Sequence, residues 1–165
     1  MAEPPVVNAS PLIVLAQGDY LELLRVVGDR ILVPRQVERE VLRPGIADAS
    51  VQALRSLAWL EAVDVGPTPT AVRRHHLDLG EEAVLTWALN HPGTAAIVDD
   101  RRGRMVAVRI GVPVIGTLGM LIDAKLRGVI PAVRPVAEHL LAVTDWYLSP
   151  VVLGALIDFY LRMRV

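Results

Sequence analysis

Five short apolar runs, each followed by a stretch with apolar residues at helical intervals, constrain this 165-residue chain more than any other feature. The runs are PVV ending at Asn8, RILVP at 30–34, LEAVDV at 60–65, TAAIVDD at 94–100 and VPVIG at 112–116. Between them lie SPLIVLAQGDYLELLRVV, broken at Gly18, then RQVEREVLR behind Pro34, and a further helical stretch over 48–58. A short helix is expected over 70–77, and longer ones over GEEAVLTWALNH, RRGRMVAVRIG, which Gly111 closes, and TLGMLIDAKLRG, which Gly128 closes. The loop GPTPT is the clearest break. The tail from Pro131 reads as one helix over 133–143 and another over 150–163. Strands alternating with helices predict an α/β fold whose parallel sheet is covered on both faces.

Such a sheet carries its ligands at the carboxyl ends of its strands. That rule gathers Asn8 and Ser10 behind the first strand, Asp99 and Asp100 behind the fourth, and Gly116 and Thr117 behind the fifth. The adjacent aspartates are the oddest feature of the group. They repel one another, they cost energy to desolvate, and they open a helix with Arg101, Arg102, Arg104 and Arg109. A helix N-terminus, the arginines or a metal ion would each compensate. Two further acids come from helices. Glu40 lies three residues after Val37, near the buried face of its helix, and Glu81 stands in the first turn of the next long helix, where the dipole favours an anion. Taken singly, each suits a solvated surface group or a helix-start stabiliser better than a ligand.

Charge and composition narrow the field. The formal net charge of −1 gives no global basic field for nucleic acid, and nearly every cation is arginine, with Lys125 the only lysine. With no cysteine, disulfides and thiolate metal sites are excluded, and a cytoplasmic setting is expected. No uninterrupted apolar stretch reaches membrane length, and MAEPPVVNAS has neither the basic nor the apolar segment of a signal peptide. His75, His76 and Asp78 do not make a ligand cluster, since adjacent helical residues diverge by about 100°, so a surface loop is expected there. GTLG lacks the Lys-Ser/Thr ending of a phosphate loop. Trp59, Trp87 and Trp146 are too scattered for a stacking platform.

In order, VVNASPLIVLA, VPRQVEREVL, LGEEAVLTWAL, IVDDRRGRMVA and VPVIGTLGMLIDAKLRGVI resemble the PIN-domain family over roughly the whole chain, in particular a bacterial and archaeal branch with SPLI, GE, DD-R and GTLG motifs. The resemblance implies a Rossmann-like three-layer α/β/α sandwich with a mostly parallel five-stranded sheet. Residues 1–130 would form the core, and 131–165 a helical extension packed on the same domain. It implies a Mg²⁺- or Mn²⁺-dependent ribonuclease that cleaves RNA phosphodiesters with a metal-activated water. The toxins of toxin–antitoxin pairs belong to this family, so a small antitoxin protein is an implied partner, and a homodimer the implied assembly.

Carried onto this chain, the family's acids fall on Asn8, Glu40, Glu81 and Asp100, with Asp99 as a neighbouring participant, as catalytic and metal-binding residues. Ser10, Arg101, Arg102, Arg104 and Thr117 would meet the nucleic acid. Asn8 departs from the pattern, offering a carbonyl oxygen without charge. A second reading follows from that departure: a PIN-fold nucleic-acid-binding or regulatory module with weak catalysis. A phospho-acceptor domain fits less well, because receiver domains pair their acids after the first strand and Lys125 sits inside a helix.

Overall fold

The computed structural model describes residues 2–46 and 48–155. Its sheet has five parallel strands in the order β3-β2-β1-β4-β5: β1 (Val6–Val7), β2 (Ile31–Pro34), β3 (Leu60–Val63), β4 (Ala96–Ile97) and β5 (Val114–Ile115). β1, β2 and β4 form the buried centre of the molecule, and the edge strands β3 and β5 are partly exposed. Val6, Val7, Ile31, Val33, Ala96 and Ile97 are all inaccessible to solvent. β-Branched and aliphatic side chains suit this position, where both faces of the sheet are covered.

The helices are α1 (Ala9–Gln17), α2 (Arg35–Val41), α3 (Asp48–Ser56), α4 (Thr70–Arg73), α5 (Leu79–Asn90), α6 (Arg101–Arg109), α7 (Thr117–Leu126) and α8 (Val133–Val143). A 3₁₀ segment, Leu21–Val26, follows the break at Gly18. The result is an α/β sandwich in which every sheet connection is parallel. α5 packs against α2 and α4, and α7 against the 3₁₀ segment and α8. The helix stops read from glycine hold at Gly111 and Gly128, which adopt φ of 76° and 74°.

Strand order decides where a site can form. The chain winds outward through β2 and β3 on one side of β1, then returns to build β4 and β5 on the other, so the direction of winding reverses between β1 and β4. Val7 pairs with Ile97, and the Asn8 N–H donates to the Ile97 carbonyl at 3.0 Å. The residues that leave these two strands therefore diverge from a common point, the crevice where α/β sheets hold ligands.

After α8 the chain turns back over the domain. Leu140 is fully buried and leaves no room for a side chain at Gly18, while His139 Nε2 lies 3.1 Å from the Gly18 carbonyl. Residues 150–155 are helical. The remainder of the expected last helix, with Leu156, Ile157, Phe159 and Leu161, lies outside the described residues. Among those described, no helix is long and apolar enough to cross a membrane.

Candidate functional site

A cleft of about 1050 Å³ opens over the carboxyl ends of β1 and β4. Asn8, Ser10, Glu40, Glu81, Asp99, Asp100, Arg101, Arg102 and Arg104 all line it. Of the ten residues singled out from the sequence, only Thr117 is missing from that lining.

Asn8 occupies the N-cap position of α1 with extended backbone, φ −83° and ψ 166°, but its side chain caps nothing. It is 6 % exposed, and its Oδ1 has no hydrogen-bond partner. A buried carbonyl oxygen left unsatisfied costs about 1–3 kcal/mol, so its environment calls for a donor or a cation. Glu40 reaches the same point from α2. A Cβ on Gly80 would lie 2.9 Å from Asn8 Oδ1, 3.0 Å from Glu40 Oε2 and 3.5 Å from Asp78 Oδ1. Three oxygens thus converge on the start of α5, and only a glycine leaves them the space. Burial raises the Glu40 carboxyl above its ordinary range and Asp78 adds to the effect, while Arg43 opposes it.

Glu81 projects from the first turn of α5 and is 5 % exposed. A Cβ on Gly103 would lie 2.9 Å from its Oε1, so α6 also approaches closely because it carries a glycine there. The helix dipole favours the charged form at this position, yet burial outweighs it. With the carboxylates of Asp78 and Asp100 nearby, burial pushes Glu81 from 4.5 up to about 7.

The adjacent aspartates separate. Asp100 is the N-cap of α6 and accepts from the Gly103 N–H at 2.9 Å through Oδ2. Asp99 turns to the neighbouring helix start: Oδ1 accepts from the Thr117 N–H and Oδ2 from the Thr117 hydroxyl, both at 2.7 Å. Two carboxylates next to each other in sequence therefore serve the N-termini of two different helices, which relieves their repulsion. Burial still raises Asp99 above the ordinary carboxylate range, against the pull of the Thr117 bonds and Arg104. Thr117 itself is fully buried with both donors engaged by Asp99.

Arg101, Arg102 and Arg104 are exposed on α6 and form no salt bridge among the described residues. Arg102 Nη2 donates to the His75 carbonyl at 2.6 Å, tying the loop before α5 to α6.

Two features of the cleft are not marked by the sequence motifs. Asp78, beside His75 and His76 in the chain, caps α5 by accepting from the Glu81 N–H at 2.8 Å and faces Glu40 and Glu81. The spacing Asp78-x-x-Glu81 before an apolar run is the signal that could have found it. The tail segment 145–149 also lines the cleft, and no local pattern marks it.

The donor set can be tested against a divalent cation. Among the described residues, no three Asp, Glu or His side chains are gathered closely enough to hold a metal ion. A hard cation such as Mg²⁺ needs fewer, since it keeps several waters and takes one or two carboxylates. Glu40 beside the unpartnered Asn8 carbonyl, and Glu81 beside Asp100, each offer one or two carboxylates. Asp99 lines the same cleft and has one hydrogen bond from Thr117 on each oxygen. A family model described as PIN domain matches residues 4–160. No curated protein matches the chain.

Proposed function

The chain belongs to the PIN-domain family, and from that membership we propose that it is a Mg²⁺- or Mn²⁺-dependent ribonuclease. PIN domains are generally nucleases and generally use divalent metals. The observation that carries the reading to this chain is the buried, unpartnered Asn8 Oδ1 beside Glu40, with Glu81 raised to about 7 in the same cleft. Without a cation this arrangement leaves a buried carbonyl unpartnered and holds the Glu40 and Glu81 carboxyls above their ordinary range. A divalent cation would offer the carbonyl a partner and offset carboxylate charge.

Glu40 with the Asn8 carbonyl, or Glu81 with Asp100, would supply the one or two carboxylates the ion takes, with waters filling its other positions. When bound, the cation neutralises phosphate charge and lowers the pKa of the attacking water. The chain's own residues do the rest. Arg101, Arg102 and Arg104 attract the phosphodiester backbone to the cleft's α6 side. Ser10, exposed at the start of α1, offers a hydroxyl to a phosphate oxygen. Asp99 is a positioning residue that locks the start of α7 to the end of β4. Asn8 keeps the ligand position while contributing no charge, so affinity for the ion is set by fewer carboxylates.

The test is calorimetric Mn²⁺ titration with cleavage of a mixed RNA pool. Asn8→Asp should tighten Mn²⁺ binding and raise cleavage, because an added carboxylate strengthens attraction to a hard ion. Asp100→Asn should lose cleavage and keep the fold, since asparagine caps a helix as well as aspartate. If Mn²⁺ binds but neither wild type nor Asn8→Asp cleaves, the chain is a binding or regulatory module of the same fold, the reading favoured by the neutral Asn8.

Partners follow from the same reading. A toxin role would require a small antitoxin protein that suppresses cleavage when co-expressed. A homodimer is the proposed assembly, with the exposed Val151 and Val152 of the tail available to it. Light scattering at micromolar concentration decides that point, and a monomer would reject it.

A further inference from the structure

The cleft has two chemically different walls. On the α6 side stand Arg101, Arg102 and Arg104. The segment after α8 contributes Trp146, Tyr147, Leu148 and Val152, with one charge, the exposed carboxylate of Asp145. Phosphates are drawn to the first wall and repelled from the second by simple Coulombic sign. An apolar wall that rejects phosphate is suited to the other half of a nucleotide, its base.

Tyr147 is the residue placed for that contact. It is 76 % exposed, whereas Trp146 before it is 8 % exposed. Among the described residues it is the only exposed tyrosine or tryptophan; Tyr20, Trp59 and Trp87 are at least half-buried against the core. The turn just before Tyr147 is held by hydrogen bonds. The Trp146 N–H donates to Thr144 Oγ1 at 3.1 Å, and that hydroxyl donates to the Leu140 carbonyl at 2.7 Å. The indole of Trp146 anchors the segment in the core, and the phenol ring beside it is held out at the cleft. A rigid anchor next to a presented ring is what stacking requires, because little conformational freedom is lost when a base arrives.

We propose that Tyr147 is a base-stacking residue that takes the face of one unpaired nucleobase next to the phosphate held over the acidic floor. The proposal rests on the reading of the cleft as a nucleic-acid site and assigns the tail wall a part in it. Bases lie toward the tail, and the backbone lies toward α6. Tyr147 thereby positions the scissile phosphate without touching it. A paired base has no free face to offer, so the contact also discriminates against duplex.

The experiment measures binding of a short, labelled single-stranded RNA by fluorescence anisotropy, with Ca²⁺ in place of Mn²⁺ and again in EDTA. Wild type, Tyr147→Ala and Tyr147→Phe are compared. Tyr147→Ala should weaken binding roughly 5- to 150-fold, the loss seen when one stacking aromatic is removed, and Tyr147→Phe should restore it because the ring is kept. A series of the same RNA with a single abasic site moved along the strand supplies the second readout. For wild type, one position of the abasic site should weaken binding, and in Tyr147→Ala that dependence should vanish. Melting temperatures should stay level, since an exposed side chain contributes little to stability. Binding by Tyr147→Ala equal to wild type overturns the proposal, and so does a loss that is the same at every abasic position. Failure of wild type to bind RNA at all would remove the nucleic-acid reading beneath it, an outcome distinct from either.

Discussion

Protonation of Glu81 should govern the stability of the metal-free protein. The folded state binds this proton up to about pH 7, while an unfolded chain releases it above about 4.5. Between those values the folded state carries more protons than the unfolded state, so stability falls as pH rises through the window and levels off above it. At about 1.4 kcal/mol per pH unit, the interval amounts to about 3 kcal/mol. Glu81 is 5 % exposed, so solvent screening removes little of this. Glu40 and Asp99 are shifted in the same direction and steepen the decline. Glu81→Gln keeps the shape and removes the charge. Its stability relative to wild type should therefore improve by about 3 kcal/mol between pH 4.5 and pH 8, or roughly 6–12 °C in Tm for a chain of this size. Melting curves in EDTA at several pH values provide the measurement. Taking the difference between the two proteins cancels ionisations they share. Added Mn²⁺ should then stabilise wild type at pH 8 more than the variant, because binding to the folded state raises its stability by mass action. A stability difference between variant and wild type that is the same at pH 4.5 and pH 8 would refute the reasoning, since Glu81 would then carry no cost for being charged.

Thr117→Val removes the hydroxyl bonded to Asp99 Oδ2 and leaves the backbone N–H on Oδ1. The expected loss is about 1.5–3 kcal/mol, as for a hydrogen bond to a charged group, read as a lower urea midpoint with an unchanged slope. Gly80→Ala would ordinarily stabilise a helix, but its Cβ must displace Asn8 Oδ1 or Glu40 Oε2. Mn²⁺ affinity should fall about 10- to 100-fold, as when a residue supporting metal ligands is lost, while circular dichroism stays unchanged; undiminished affinity would remove Asn8 and Glu40 from the ion's surroundings.

The alternation of apolar runs with helical periods was enough to predict parallel strands and the edge on which the polar residues gather. Those features depend on local period and on a topological rule, and both can be read from neighbours in the chain. Asn8 and Asp100 were therefore legible as cleft residues, since each directly follows a strand. The separate fates of Asp99 and Asp100 were not. Adjacent side chains see almost the same sequence, but one meets Thr117, eighteen residues away, and the other its own helix. The same limit hid Asp78, whose capping bond is local while its approach to Glu40 depends on α2 lying against α5. It hid Tyr147 more completely, because the turn that brings the tail to the cleft exists only once Leu140 and Trp146 are buried. Local sequence sets dihedral preference and which face is apolar; the meeting of distant carboxylates, and the burial that moves Glu81 to about 7, arise only when helices pack across the finished sheet.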